Sequence, residues 1–419
     1  MIAKNSQVNS GNLIRDWRLL IAIVTAVAVI GMLGACSNAR AGSAKQPNKS
    51  ASTSAAATTL PATQSLADQA KSLVAKMSLE DKVAQMFMVT PEALSQFKGS
   101  VVASGEQTKQ AFIKRPVGGV IYNSANLQSP EQVKTMLANL QKYSKERTGV
   151  LAFIAVDEEG GTVARVSGSK SMGIKPYPNM SEVGAGKDTN RALEIGTEMG
   201  KYLSNLGFNV NFAPDADVLT NPKNALLKYR AFGSDPQKVS QMTAAFTKGL
   251  QTSGVLATYK HFPGHGSTSV DSHKGITISQ QDANALDSVD LLPFKDAVSQ
   301  GVKLIMVSHV CFPKVVGDKT PSSLSKQIVT GIARDKMQFK GILITDAMSM
   351  GAISGNYQPA EAAVKAIQAG NDIVLDPKDF DAAYQGVLAT VKAGQISADQ
   401  VNQSVTRIVT TKLELSAAK

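Results

Sequence analysis

Between residues 83 and 375 the chain repeats one rhythm: a short unbroken apolar run, then a longer stretch with apolar positions every three or four residues. The runs are Val83–Val89, Gly119–Tyr122, Leu151–Val156, Asn209–Ala213, Val255–Tyr259, Leu304–Ser308, Ile342–Thr345 and Asp372–Leu375. Unbroken apolar character suits strands buried on both faces, because a half-exposed strand alternates. Among the stretches between them, "SPEQVKTMLANLQKYSKER" is the clearest helix. Ser129 stands at its N-cap, Pro130 takes the first helical position, and Val133, Met136, Leu137 and Leu140 line one face. Further helical patterns cover 189–206, 236–252, 290–300, 325–337, 358–369 and 380–413. "MSLEDKVAQMFMV" opens with Ser78 as an N-cap and Asp81 three residues on, a capping-box pattern. Residues 90–115 read as an inserted loop with some helix.

Buried strands separated by helices imply a parallel sheet covered on both faces. Eight of them predict a single (β/α)8 barrel rather than an open doubly wound sheet. The placement of unusual polar residues agrees. Asp157 follows the third run, Asp215 the fourth, Lys260 and His261 the fifth, His309 the sixth and Asp346 the seventh. Parallel barrels carry their chemistry at that end of the strands.

The N-terminal part reads differently. Lys4, Arg15 and Arg18 precede "LLIAIVTAVAVIGMLGAC", a charged segment, an apolar segment and small residues in the order of an export signal. The run is nearly long enough to span a bilayer, so an uncleaved anchor is the competing reading. "LGAC", Leu33 to Cys36, resembles the bacterial lipobox, in which the cysteine is lipidated and becomes the new N-terminus. Residues 37–65 then lack aromatics and any apolar period, the composition of a flexible tether. The expected division is therefore a lipoprotein signal peptide over 1–35, the lipidated Cys36 and tether over 36–65, and the barrel over 66–419. The expected location is extracytoplasmic, with a lipid anchor in the cell membrane.

Composition adds three points. Cys36 and Cys311 are the two cysteines, so no intrachain disulfide framework is expected, and export fits this lack of thiols. The formal charge is +11; losing residues 1–35 removes Lys4, Arg15, Arg18 and Asp16 and leaves +9. That balance suits an anionic wall or lipid surface, but the basic residues are scattered rather than gathered as a nucleic-acid patch would need. Nothing in the pattern sets an oligomeric state.

The candidate chemistry centres on "YKHFPGHGSTSVDSHKG", Tyr259 to Gly275, which holds His261, His265 and His273 of the chain's four histidines. A metal reading is weak. Pro263 and Gly264 break the helix on which His261 and His265 would share a face, and no HExxH spacing occurs. An acid/base reading is better: Asp271 lies two residues before His273 and can orient the imidazole and favour its protonated form. A solvated loop with incidental polar residues accounts for the same letters. Asp346 in "GILITDAMSMG" ends a buried strand and is poised at a barrel mouth, although an aspartate there also serves as a helix N-cap. Asp157 in "IAVDEEGGTVARV", with Arg165 beyond it, suits a sugar or phosphate grip, or an ordinary turn.

Taken together, "LEDKVAQMFMV", "VDEEGGTVARV", "YRAFGSDP", "YKHFPGHGSTSVDSHKG" and "ITDAMSMGAI" resemble the glycoside hydrolase family 3 β-N-acetylglucosaminidases of bacterial cell-wall turnover. The motifs occur in family order over roughly 79–353. The resemblance implies a β-N-acetylhexosaminidase with Asp346 as nucleophile and His273, partnered by Asp271, as acid/base. It implies that Asp157, Arg165, Arg230, Lys260 and His261 hold the sugar, and it assigns His265 and His309 no role beyond pocket wall or loop. It implies a retaining exo-acting enzyme that removes non-reducing terminal β-linked N-acetylglucosamine from peptidoglycan fragments or related oligosaccharides, with no metal or organic cofactor. This chain departs from the family pattern in reading "DEEGG" for "DQEGG", "RAFG" for "RSFG" and "AMSM" for "DLSM". Because an imidazole acid does not repel phosphate as a carboxylate does, a β-N-acetylglucosaminide phosphorylase is an alternative expectation. A surface sugar-binding lipoprotein without catalysis is another.

Overall fold

The structure is a computed structural model and describes residues 64–269, 271–273 and 275–418. The expected signal segment, Cys36 and the tether up to residue 63 lie outside the described residues.

Eight parallel strands form one sheet: β1 (Phe87–Val89), β2 (Gly119–Tyr122), β3 (Phe153–Val156), β4 (Val210–Asn211), β5 (Leu256–Phe262), β6 (Leu304–Val307), β7 (Ile342–Thr345) and β8 (Val374–Leu375). They run in the order β7-β6-β5-β4-β3-β2-β1-β8, and an Ile344–Ile373 bridge brings the two edges together. This is the expected (β/α)8 barrel. Its interior is packed with Met88, Phe153, Phe212, Leu304, Met306 and Ile344, all buried. A second apolar layer lies between the strands and the surrounding helices, as a sheet buried on both faces requires.

Several boundaries move for identifiable reasons. The first half of the Val83–Val89 run is helix. Ser78 accepts the Asp81 N–H, and the helix it starts, Leu79–Gln85, carries Val83 and Ala84 on its buried side. The fifth strand continues through Lys260, His261 and Phe262, so those residues lie within the strand rather than after it. β4 is short because side-chain amides take over pairing. The Asn209 Oδ1 accepts the Ile154 N–H at 2.7 Å, and the Asn211 amide both donates to and accepts from the Glu158 backbone at 2.8 and 3.0 Å. The pattern over 380–413 is two helices, Phe380–Lys392 and Ala398–Ala417. Gly394 separates them at φ +74°, and Ser397 caps the second.

That last helix closes the lower end of the barrel. Ile408 and Leu415 join the interior, and between them the buried Lys412 donates to the Gln85 Oε1 at 2.7 Å and lies over the Phe153 ring. No carboxylate pairs with this ammonium among the described residues, and burial pushes its pKa down to about 7. No helix among the described residues is long and apolar enough to cross a membrane.

Candidate active site

Within one wall of the site, two basic side chains converge on one carboxylate. The Lys260 Nζ lies 2.7 Å from the Asp157 Oδ1 and 2.6 Å from the Glu159 Oε1. The Arg230 guanidinium donates to both Glu159 oxygens at 2.8 Å in a fork. Burial alone would raise the Glu159 pKa, but the charges of Arg230 and Lys260 outweigh it and hold the carboxyl well below the usual range. Asp157 stays partly open to the cavity. Arg165 reaches the same cavity from just past the return strand of a short hairpin, Glu158–Gly160 with Val163–Ala164.

Next to these groups sits a histidine whose tautomer can be read from its neighbours. The His261 Nδ1 is 2.7 Å from the Asp217 Oδ2, and its Nε2 is 3.3 Å from the Arg230 Nη2. Arginine can only donate, so Nε2 accepts and Nδ1–H donates to Asp217. Burial, then the Arg230 charge, pushes the His261 pKa down to about 4, so the ring is neutral near pH 7. Asp217 also accepts the His265 N–H, while burial and the Asp217 charge push the adjacent Asp215 up to about 7. Ligand atoms of Asp215, Asp217 and His261 lie within 4.8 Å of one another. They face each other and Arg230, so the trio orients the imidazole beside an existing cation.

Asp346 follows β7 directly. Its N–H donates to the Val307 carbonyl at 2.8 Å, and its Oδ1 accepts the Ala347 N–H at 2.8 Å. The His309 Nε2 holds the Ala347 carbonyl at 3.0 Å, while its Nδ1 meets the Ser323 hydroxyl at 2.8 Å. Burial would raise the Asp346 pKa; His261, His309, the Ala347 N–H and Lys260 together lower it below the ordinary value. An ionised carboxylate is what a nucleophile needs.

The expected dyad is formed. The Asp271 Oδ1 accepts from the His273 Nδ1 at 2.8 Å and from the His273 backbone N–H at 2.9 Å. This fixes the ring and leaves Nε2 for another partner. The His273 side chain is 57% exposed, in contrast to the buried His261 and the half-buried Asp346. Its loop is stitched down at two points. The Gly351 and Ala352 N–H groups donate to the His273 and Ser272 carbonyls at 3.1 Å each, and the Ser272 hydroxyl meets the His265 Nε2 at 3.1 Å. Gly264 opens this loop at φ +145°, where a Cβ would lie 2.5 Å from the Asp290 Cβ.

All eight candidate residues on the barrel thus line one cavity of about 800 Å³, whereas Cys36 lies outside the described residues. Sequence reasoning missed Glu159 and Asp217. Each stands beside a residue that was singled out, Glu159 inside "VDEEGG" and Asp217 two residues after Asp215, but nothing local marks its partner. His265 and His309, given no role, turn out to be buried pieces of the support for the loop and for Asp346.

Comparison with known proteins agrees with this geometry. Residues 78–411 match the glycosyl hydrolase family 3 N terminal domain. The chain is 32% identical over 328 residues to the beta-hexosaminidase A of Pseudoalteromonas piscicida, covering 71% of this chain and 54% of that one. It therefore spans about half the length of that relative. It is 34% identical over 266 residues to the beta-hexosaminidase LpqI of Mycobacterium tuberculosis, covering 62% and 67% respectively. The solved glycoside hydrolase family 3 beta-N-acetylglucosaminidase from Paenibacillus sp. str. FPU-7 superposes with a TM-score of 0.76 at 34% identity, covering 82% of this chain and 64% of that one.

Proposed function

Because the chain belongs to glycosyl hydrolase family 3, we propose that it is a retaining exo-β-N-acetylglucosaminidase working by double displacement. The observation that carries this is the pairing of a half-buried Asp346, held in its ionised form, with an Asp271-oriented His273 on the same cavity. In the first step the Asp346 carboxylate forms a bond to the anomeric carbon. The bond to the aglycone oxygen breaks, its electron pair stays on that oxygen, and His273 supplies the proton. In the second step water attacks the same carbon, His273 takes the water's proton, and the Asp346 ester opens to release the sugar. Two inversions give net retention.

Lys260, Arg230 and Asp157 supply donors and an acceptor for sugar hydroxyls, and the neutral His261 supplies an uncharged edge. Glu159 keeps both cations in place, so ligand binding need not order them. The relatives' names support a β-linked N-acetylhexosamine as substrate. The lipobox-like Leu33–Cys36 supports a lipid anchor on Cys36 outside the cytoplasm, and with it peptidoglycan fragments as the substrate.

The test is to incubate the full-length protein with 4-nitrophenyl N-acetyl-β-glucosaminide, with and without phosphate, and to identify the sugar and its first-formed anomer. Free β-N-acetylglucosamine under both conditions supports the reading. Sugar 1-phosphate would make the protein a phosphorylase, which the imidazole acid permits because it does not repel the anion. An α-anomer would overturn retention, and no release of sugar would overturn the enzyme.

A further inference from the structure

The residue before Glu159 is also a glutamate, and nothing in the proposed chemistry uses it. Glu158 is fully buried and does not line the cavity; its carboxylate is held by donors just past the hairpin. It accepts four hydrogen bonds: the Val166 N–H at 2.7 Å, the Ser167 N–H at 3.0 Å, the Ser167 hydroxyl, and the Tyr202 hydroxyl at 2.7 Å. Its own backbone is fixed to β4 by the Asn211 amide. A rigid barrel strand is therefore tied, through one side chain, to the two residues that follow Arg165.

Arg165 itself shows what the tie is for. Its backbone N–H donates to the Asp157 carbonyl at 3.2 Å, and its carbonyl accepts from the Ser124 hydroxyl at 3.3 Å. Its guanidinium Nε is buried without a hydrogen-bond partner, and the side chain lines the cavity. Buried donors left without a protein partner are uncommon, and one at a cavity wall is placed to meet a ligand acceptor. We propose that Glu158 is a positioning residue that aims Arg165 at the bound sugar by clamping the segment that follows the hairpin's return strand. The proposal rests on the reading of this cavity as the sugar site.

The chemistry at Glu158 is selective. A carboxylate only accepts, and here every one of its partners donates. A carboxamide of the same shape would turn an NH2 group toward either the Val166 N–H or the Ser167 and Tyr202 donors, so part of the clamp would open.

The experiment is kinetic. Glu158→Gln in the full-length protein is expected to raise KM for 4-nitrophenyl N-acetyl-β-glucosaminide about tenfold while kcat changes less than about twofold. Arg165→Ala should raise KM at least as much. In the double variant Glu158→Gln should add less than about twofold, because its effect passes through a side chain already removed. A full tenfold rise in both backgrounds, or an unchanged KM in Glu158→Gln alone, overturns the proposal while leaving the sugar site intact. An unchanged KM in Arg165→Ala overturns Arg165 as a grip, and the proposal with it. Should Glu158→Gln fail to fold, Tyr202→Phe removes a single donor and is expected to raise KM about two- to threefold by the same route; no change there also overturns the proposal. If the wild-type protein shows no turnover, the sugar-site reading itself fails; calorimetric titration with N-acetylglucosamine then compares the same variants, and weakened binding in wild-type but not Arg165→Ala background supports the clamp.

Discussion

At the scale of single residues the site divides into groups that the chain announces and groups that it hides. Asp346 is announced by its place at the end of an unbroken apolar strand, and the dyad by two residues of spacing. For Asp346→Asn, kcat is expected to fall by at least about a thousandfold with the melting temperature little changed, as turnover and thermal unfolding of one preparation will show. Glu159 and Asp217 are hidden because their partners come from other segments: Arg230 is 71 positions from Glu159, and His261 is 44 from Asp217. No local pattern encodes such distances. Asp217→Asn is expected to lower kcat/KM by about tenfold or more, since its amide can satisfy the His261 Nδ1–H or the His265 N–H but not both. Equal kcat/KM in the variant would remove Asp217 from the support of the site.

At the scale of elements, hydrophobic runs told where the strands are but not where they end. The fifth strand outruns its apolar run because Lys260 and His261 find ionic and polar partners inside the barrel mouth, which composition alone cannot show. The single pattern over 380–413 conceals a break because both helices present apolar faces of the same period, and only Gly394 and the Ser397 cap mark the turn. The loop from Gly264 to Gly275 was legible as a unit, whereas its stitching to residues 351 and 352 was not, being made by main-chain groups that every residue possesses. Gly264→Ala tests how rigidly that loop must begin. Its added methyl meets Asp290, so the expected results are a melting temperature lowered by several degrees and kcat reduced about tenfold, with KM less affected. A variant matching wild type in all three would show that the loop's start is tolerant.

At the scale of the whole molecule, the eight-run rhythm was enough to predict the closed barrel, since few folds accommodate so many doubly buried parallel strands. The way the lower end is sealed was not readable: Lys412 sits in an ordinary amphipathic helix and looks like a surface lysine. Its consequence appears in the pH dependence of stability. The unfolded chain keeps this proton up to about pH 10.5, the folded chain only to about 7. Between those values unfolding takes up a proton, so Lys412 makes stability climb as pH rises, and the penalty is complete below pH 7. Lys412→Met is therefore expected to melt about 2–5 °C above wild type near pH 6.5, with the gap shrinking toward pH 10. A gap independent of pH would mean that the lysine is not neutral in the folded state.

The proposed nucleophile, Asp346, is built into the barrel wall, whereas the proposed proton donor, His273, rides on an exposed loop 73 positions earlier that is fastened chiefly by backbone contacts. This separation makes the proposed reaction's two demands unequal across substrates. Aglycones that depart readily as anions, such as nitrophenolate, draw on the barrel alone. Sugar alcohols depart poorly and depend on the loop at every turnover. A plot of log rate against leaving-group acidity should accordingly steepen when the loop is disturbed and stay parallel when the barrel wall is. On that view the strands decide which sugar is held, and the loop decides how strong a glycosidic bond the enzyme can break.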